Sequence, residues 1–280
     1  MKTITLGFSP CPNDTFIFDA LVNKRIDTGD YIFEAVLEDV EALNNMAFDN
    51  SLDVTKISIG AYAKASDKYI ILDSGSALGI GAGPLLVSKK PISESDFSSL
   101  KVAIPGKHTT ANLLLSVFYP QVKNKYEIIF SEIESEVLAE KADAGLLIHE
   151  GRFTYEKRGL HKLSDLGEVW EAAMKIPLPL GCIAASRKFT AIECGQISNL
   201  IFKSIQYAYT NPSAGKEYIS QHAMEMEPEV IERHITLYVN NFSLTLGREG
   251  RSAILFLLNK GVESGLLPNI TQPVFNTELI

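Results

Sequence analysis

His149 stands directly behind the apolar run Gly145–Ile148, within Ala142-Asp-Ala-Gly-Leu-Leu-Ile-His149-Glu150. The run reads as a short buried strand. Loops at the carboxyl ends of strands in open α/β sheets face a shared crevice, and ligands bind there. An imidazole in such a loop can give or take a proton near neutral pH, because its unperturbed pKa is about 6.5. A solitary histidine is more often a satisfied structural one. His149 is not solitary, because three other apolar strands also run straight into polar clusters.

The first cluster is Ser9-Pro-Cys-Pro-Asn-Asp14. Asp14 has two readings there: the N-cap of a following helix, or a carboxylate that bonds a substrate hydroxyl. The second is Thr55-Lys-Ile-Ser58, a strand end before a helix. Backbone N–H groups at a helix start, with a hydroxyl and an ammonium beside them, favour an anion; the plainer alternative is a capping Ser58 and a solvated Lys56. The third, Pro105-Gly-Lys-His-Thr-Thr-Ala-Asn112, places two hydroxyls, Thr109 and Thr110, at a helix start. One suffices for a cap, so the doubling leans towards a bound carboxylate or phosphate. The fourth is His149-Glu-Gly-Arg152, where Arg152 and Tyr155 either line the same pocket or anchor the loop. A zincin helix is excluded, because Phe153 occupies the place of its second histidine. His108, His161, His222 and His234 show no ligand spacing, so no metal is expected. Cys11, between two prolines with no activating partner nearby in sequence, reads as an inert thiol. Gly79-Ile-Gly-Ala-Gly83 matches no phosphate-binding loop and reads as a hinge or turn.

The elements that must position these clusters alternate between strand and helix. Strands are expected at Thr3–Phe8, Ile32–Leu37, Asp53–Ile57, Tyr69–Leu72, Pro84–Ser88, Lys101–Ile104, Tyr126–Phe130 and Gly145–Ile148. Helices are expected after Asp14, over Val40–Phe48, Ile59–Ala65, Thr110–Phe118 and Ile133–Lys141, and in a mainly helical tail past Cys182. The alternation predicts an α/β fold with βαβ units and mostly parallel sheets. Two α/β runs imply two lobes, residues 1–86 and 87–182, with 183–280 returning to complete the first. At 280 residues the chain is long enough for this arrangement. A formal charge of −8 argues against nucleic acid. No apolar run approaches the ~20 residues that span a bilayer. Three cysteines without CxxC spacing, and a start lacking an apolar signal core, predict a cytoplasmic protein. The expected partner is a small-molecule carboxylate, not a membrane, with a homodimer left open.

Seven segments in order carry a resemblance: Ser9-Pro-Cys-Pro-Asn-Asp-Thr-Phe-Ile-Phe18, Leu37-Glu-Asp-Val-Glu41, Thr55-Lys-Ile-Ser58, Gly83-Pro-Leu85, Pro105-Gly-Lys-His-Thr-Thr110, Ile148-His-Glu150 with Arg152-Phe-Thr-Tyr155, and Leu178-Pro-Leu-Gly181. The chain thereby resembles the 1,4-dihydroxy-6-naphthoate synthases of the futalosine route to menaquinone, from Ser9 to Asn241-Phe-Ser243. The resemblance implies a two-lobed fold like the type II periplasmic binding proteins, with the ligand in the cleft between lobes. It implies a lyase that cleaves cyclic dehypoxanthine futalosine to 1,4-dihydroxy-6-naphthoate and a three-carbon fragment without a cofactor. It places the general base on His149 and substrate contacts on Lys56, Ile57, Ser58, Thr109 and Thr110, with Asp14 also in the cleft. Chorismate dehydratase of the same pathway and a non-catalytic binding protein for a small carboxylate are the alternatives.

Overall fold

A computed structural model describes residues 1–223 and 227–276. The chain runs β1 (Lys2–Phe8), α1 (Pro12–Val22), β2 (Tyr31–Leu37), α2 (Val40–Phe48), β3 (Val54–Ser58), α3 (Ile59–Ala65), β4 (Tyr69–Ile71), β5 (Ala77–Gly79), β6 (Leu85–Ser88), β7 (Val102–Ile104), α4 (Thr110–Phe118), β8 (Lys125–Glu127), α5 (Ile133–Leu138) and β9 (Ala144–Leu147). It continues through α6 (Gly151–Thr154), β10 (His161–Asp165), α7 (Leu166–Met174), β11 (Leu178–Ser186), α8 (Ala191–Thr210), α9 (Lys216–His222), α10 (Pro228–Tyr238), α11 (Asn241–Leu244) and α12 (Gly247–Glu263).

The strands form two sheets. The first has the order β2-β1-β3-β11-β4, with β5 paired to β11; the second has the order β10-β6-β9-β7-β8. β3 is buried at every position because it lies between β1 and β11, and a strand covered on both faces carries an unbroken buried run. This two-sheet α/β plan is the one that the expected periplasmic-binding-protein-like fold class calls for.

The sheets are mixed, not mostly parallel. β1 runs parallel to β2 and β3, and β7 parallel to β8 and β9. β6 opposes both β9 and β10, and β11 opposes β3, β4 and β5. The cause is topological: the chain leaves the first sheet at β5 and re-enters it at β11, and the strands flanking these crossings run against their neighbours. The expected boundaries at 86/87 and 182/183 fall inside β6 and β11; the sheet changes lie between β5 and β6 and between β10 and β11. The two crossings lie against each other. A Cβ on Gly83 would stand 2.1 Å from the Gly167 nitrogen, and Leu166 N donates to Pro84 O.

Helices α8, α9 and α10 pack on α1, and α12 packs on α3 and β11. One core gathers Ile4, Leu6, Phe8, Ile17 and Phe18 with Ile197, Ile201 and Ile205 of α8. Full burial of each such side chain is worth about 1.5–3 kcal/mol, so the tail is fastened to the first sheet by its apolar face. No described helix is long and apolar enough to cross a membrane.

Candidate active site

Because β1 and β3 are parallel, as are β7 and β9, their carboxyl ends present four loops to one cavity. Asp14, Lys56, Ile57, Ser58, Thr109, Thr110 and His149 all line it, joined by Ser9, Asn13 and Tyr238.

On the first-sheet side, Asp14 is not an N-cap. Cys11 holds that position, and Asp14 sits in the first turn of α1. Its Oδ1 accepts from Lys56 Nζ at 2.7 Å and from Asn13 Nδ2 at 2.8 Å. Its Oδ2 accepts from Ser9 Oγ at 2.8 Å and Ser9 N at 3.2 Å. A carboxylate offers about four acceptor sites, so Asp14 is filled by the protein, with Lys56 held against it. Lys56 is not solvated: its side chain is 8% exposed. With one of three N–H groups used on Asp14, it keeps two for a ligand. Ser58 makes no cap hydrogen bond. Its Oγ accepts from Asn44 Nδ2 and its own N–H donates to Asn44 Oδ1, which leaves the hydroxyl proton available to the cavity.

On the other side the two threonines divide. Thr109 caps α4, accepting from Asn112 N and donating to Gly106 O. Thr110 Oγ1 donates to Leu180 O and accepts from Gly60 N. Neither hydroxyl proton is left for a substrate. What α4 presents are the backbone amides of Thr110 and Ala111, which have no acceptor among the described residues and belong to its first turn, where the helix dipole favours an anion. The positive donor set therefore comprises Lys56 Nζ, the Ser58 hydroxyl and these amides.

His149 follows β9 after one residue and takes a left-handed backbone, φ 57°, a conformation that non-glycine residues adopt only when their surroundings dictate it. The turn carries the ring into the cavity, with Phe130 packed at 5.0 Å between ring centres. Burial, opposed by the Asp14 carboxylate and aided by the Lys56 ammonium, pushes its pKa down to about 4. At neutral pH the ring is an uncharged proton acceptor. Arg152 anchors the loop, donating to Asp165 Oδ2 and Gly83 O at 2.6 Å each. Tyr155 bonds Glu156 and stays out of the cavity wall.

Sequence reasoning missed Tyr238, on α10 of the tail. It lines the cavity and is 8% exposed, and burial raises its phenol pKa, so it stays a donor. The available signal was the i, i+4 spacing of His234 and Tyr238 on one helix face. Sequence also separates Cys11 from His149 and Glu150, yet one ligand atom from each lies within 4.8 Å of the others. This is the one set among the described residues able to hold a metal. Burial, then the Glu150 charge, raises the Cys11 thiol well above its ordinary range, so it stays protonated, a poor nucleophile and a reluctant ligand.

Residues 4–263 match the family model for menaquinone biosynthesis. A 1,4-dihydroxy-6-naphthoate synthase of Thermus thermophilus is 43% identical over 275 residues, spanning 98% of this chain and all of that protein. The corresponding synthase of Streptomyces coelicolor is 39% identical and spans 95% of each chain. Among solved structures, an Archaeoglobus fulgidus protein superposes with a TM-score of 0.89 at 35% identity, covering 95% of this chain and 98% of its own. The alkanesulfonate-binding protein of Xanthomonas axonopodis pv. citri superposes at 0.73 with 14% identity over 96% and 95% of the two chains, a likeness of fold alone. The chain belongs to the menaquinone-biosynthesis family whose members include the 1,4-dihydroxy-6-naphthoate synthases.

Proposed function

We propose that this chain is a 1,4-dihydroxy-6-naphthoate synthase, a carbon–carbon lyase acting on cyclic dehypoxanthine futalosine, with His149 as general base. The near-complete coverage of two such synthases supports the reaction. The observation that carries the assignment of roles is one cavity holding an uncharged imidazole opposite an ammonium, a free hydroxyl and a helix start. Lys56, Ser58 and the α4 amides hold the substrate carboxylate. His149 then removes the proton adjacent to the ketone. The electron pair released forms the new double bond as the adjacent carbon–carbon bond breaks; the three-carbon fragment leaves with that bond's electron pair and takes up the proton from His149, and aromatisation of the ring draws the cleavage forward. A positioned base contributes roughly 10²–10⁴ in rate. Orientation in a closed cleft contributes up to ~7–11 kcal/mol, so most of the catalysis is positional. A cytoplasmic site of action is part of this proposal, in keeping with three cysteines that are all unpaired.

Incubation with the substrate tests the reading, with separation of the mixture by chromatography. The naphthoate product and a three-carbon fragment are expected. Unchanged substrate bound tightly would replace the lyase with a binding protein, and turnover of chorismate would replace it with a dehydratase.

A further inference from the structure

We propose that His234, contributed by the tail helix α10, is a positioning residue of this reaction, holding Asp14 and Lys56 in place through Asn13. The proposal rests on the reading that Lys56 binds substrate.

His234 is fully buried, and its Nε2 lies 2.9 Å from Asn13 Oδ1. The tautomer follows from the neighbours. Asn13 Nδ2 donates to Asp14 Oδ1, which turns the amide oxygen towards His234. An oxygen accepts, so Nε2 must carry the proton. The same Asp14 Oδ1 accepts from Lys56 Nζ. A continuous series of donors and acceptors therefore runs from His234 through Asn13 to Asp14, and its far end is the ammonium in the cavity. A second contact acts on the base. The His234 and His149 rings are parallel to within 1°, with centres 6.1 Å apart, and the Tyr238 ring packs on His234 at 4.7 Å.

The choice of histidine has a physical reason. Nδ1 is buried and has no hydrogen-bond partner among the described residues, an arrangement that an apolar side chain of similar volume would avoid. What the apolar residue would lack is the Nε2 proton. Asn13 is itself 5% exposed, and without that donor its carbonyl would lie buried and unpaired, releasing the amide to turn and Asp14 with it. Burial, with His149 and Lys56 adding to it, holds the His234 pKa well below the ordinary range. The ring is thus a fixed neutral donor, and no proton need travel through it.

Three measurements on the full-length protein test this. Long-range ¹H–¹⁵N spectra of the wild type should show His234 as the neutral Nε2–H tautomer; an Nδ1–H tautomer or a charged ring at pH 7 would overturn the series of bonds without any variant. H234L should lower kcat roughly tenfold or more with little change in KM, because orientation is lost before affinity. H234Q, whose amide N–H reaches the place of Nε2, should restore kcat to within about threefold of wild type. Equal losses in both variants, in step with a fall in Tm, would mean a purely structural histidine, and wild-type kcat in H234L would end the idea. K56M separates the underlying reading: a folded, fully active K56M would remove Lys56 from substrate binding while the spectra still decide the state of His234.

Discussion

His149 needs two properties that oppose each other. It must be an uncharged base, and it must stand beside groups that hold an anion. Burial supplies the first, dropping its pKa to about 4, so the acid limb of kcat/KM should lie near pH 4 and not near the usual histidine range. A limb at pH 6.5 would mean that the ring is hydrated, or that another group is the base. H149N should lose about 10²–10⁴ in kcat and should lose that limb; undiminished turnover would exclude the assignment. The same shift has a stability sign. Because the folded pKa lies below the unfolded value of about 6.5, the unfolded chain binds the proton more readily as pH falls. His149 therefore costs no stability above pH 6.5 and progressively more from there to about 4. The wild type should lose more stability than H149N over that window. The Lys56–Asp14 pair makes a different demand. With side chains 8% and 1% exposed, removing one partner strands the other charge, so K56M should destabilise by about 3–5 kcal/mol in denaturant titration. A double change of Lys56 and Asp14 to apolar residues should recover part of that loss.

At the scale of elements, the crossing segments set the cleft. Gly83 touches Gly167 backbone to backbone, with no flexible side chain to yield, so G83A should lower both Tm and kcat/KM. Gly81, two residues away, has φ +71° and open space around its Cα. G81A should cost only the left-handed backbone penalty of about 1–2 kcal/mol and leave KM alone; equal effects of the two changes would deny the close approach its importance. The sequence made some elements legible to the residue. Val40–Phe48, Ile59–Ala65 and Thr110–Phe118 agree at both ends with α2, α3 and α4, because Asp39 and Thr109 supply caps and Ser58 an extended N-cap backbone. β10 and β11 were not legible. β10 is an edge strand of mostly polar residues, exposed at His161 and Lys162, and Pro179 and Gly181 interrupt β11 where its pairing with β5 shifts register. In the site, the strand-end clusters could be read because each occupies one short segment. The occupation of their hydroxyls could not, since Thr110 is satisfied by Gly60 and Leu180, whose proximity only the fold creates. Tyr238 and His234 were hidden for the same reason, reading as an ordinary helical stripe.

At the scale of the whole molecule, the two sheets are joined by their two crossings and by contacts over the cleft. One such contact pairs a backbone donor with a carboxylate. His108 N donates to both oxygens of Glu41 on α2, at 3.0 and 3.3 Å. A Cβ at Gly106 would fall 2.6 Å from that carboxyl group, so this glycine admits the approach. Burial raises the Glu41 pKa against the hydrogen bonds from Asn44 and His108, which means that its charge is tolerated there because those donors face it. Removing the acceptor leaves a desolvated N–H at a closing seam, a cost of about 1–3 kcal/mol that only the closed form bears. The open–closed balance should then move by roughly 5- to 150-fold, and substrate must offset the difference on binding. E41A is expected to raise KM far more than it lowers kcat, since saturating ligand restores closure and with it the geometry around His149. Small-angle scattering should report a larger radius of gyration for the free variant that returns towards the wild-type value with ligand. Identical scattering curves for both free proteins, together with an unchanged KM, would mean that the crossings and the Thr110 bonds to Gly60 and Leu180 hold the cleft shut without Glu41.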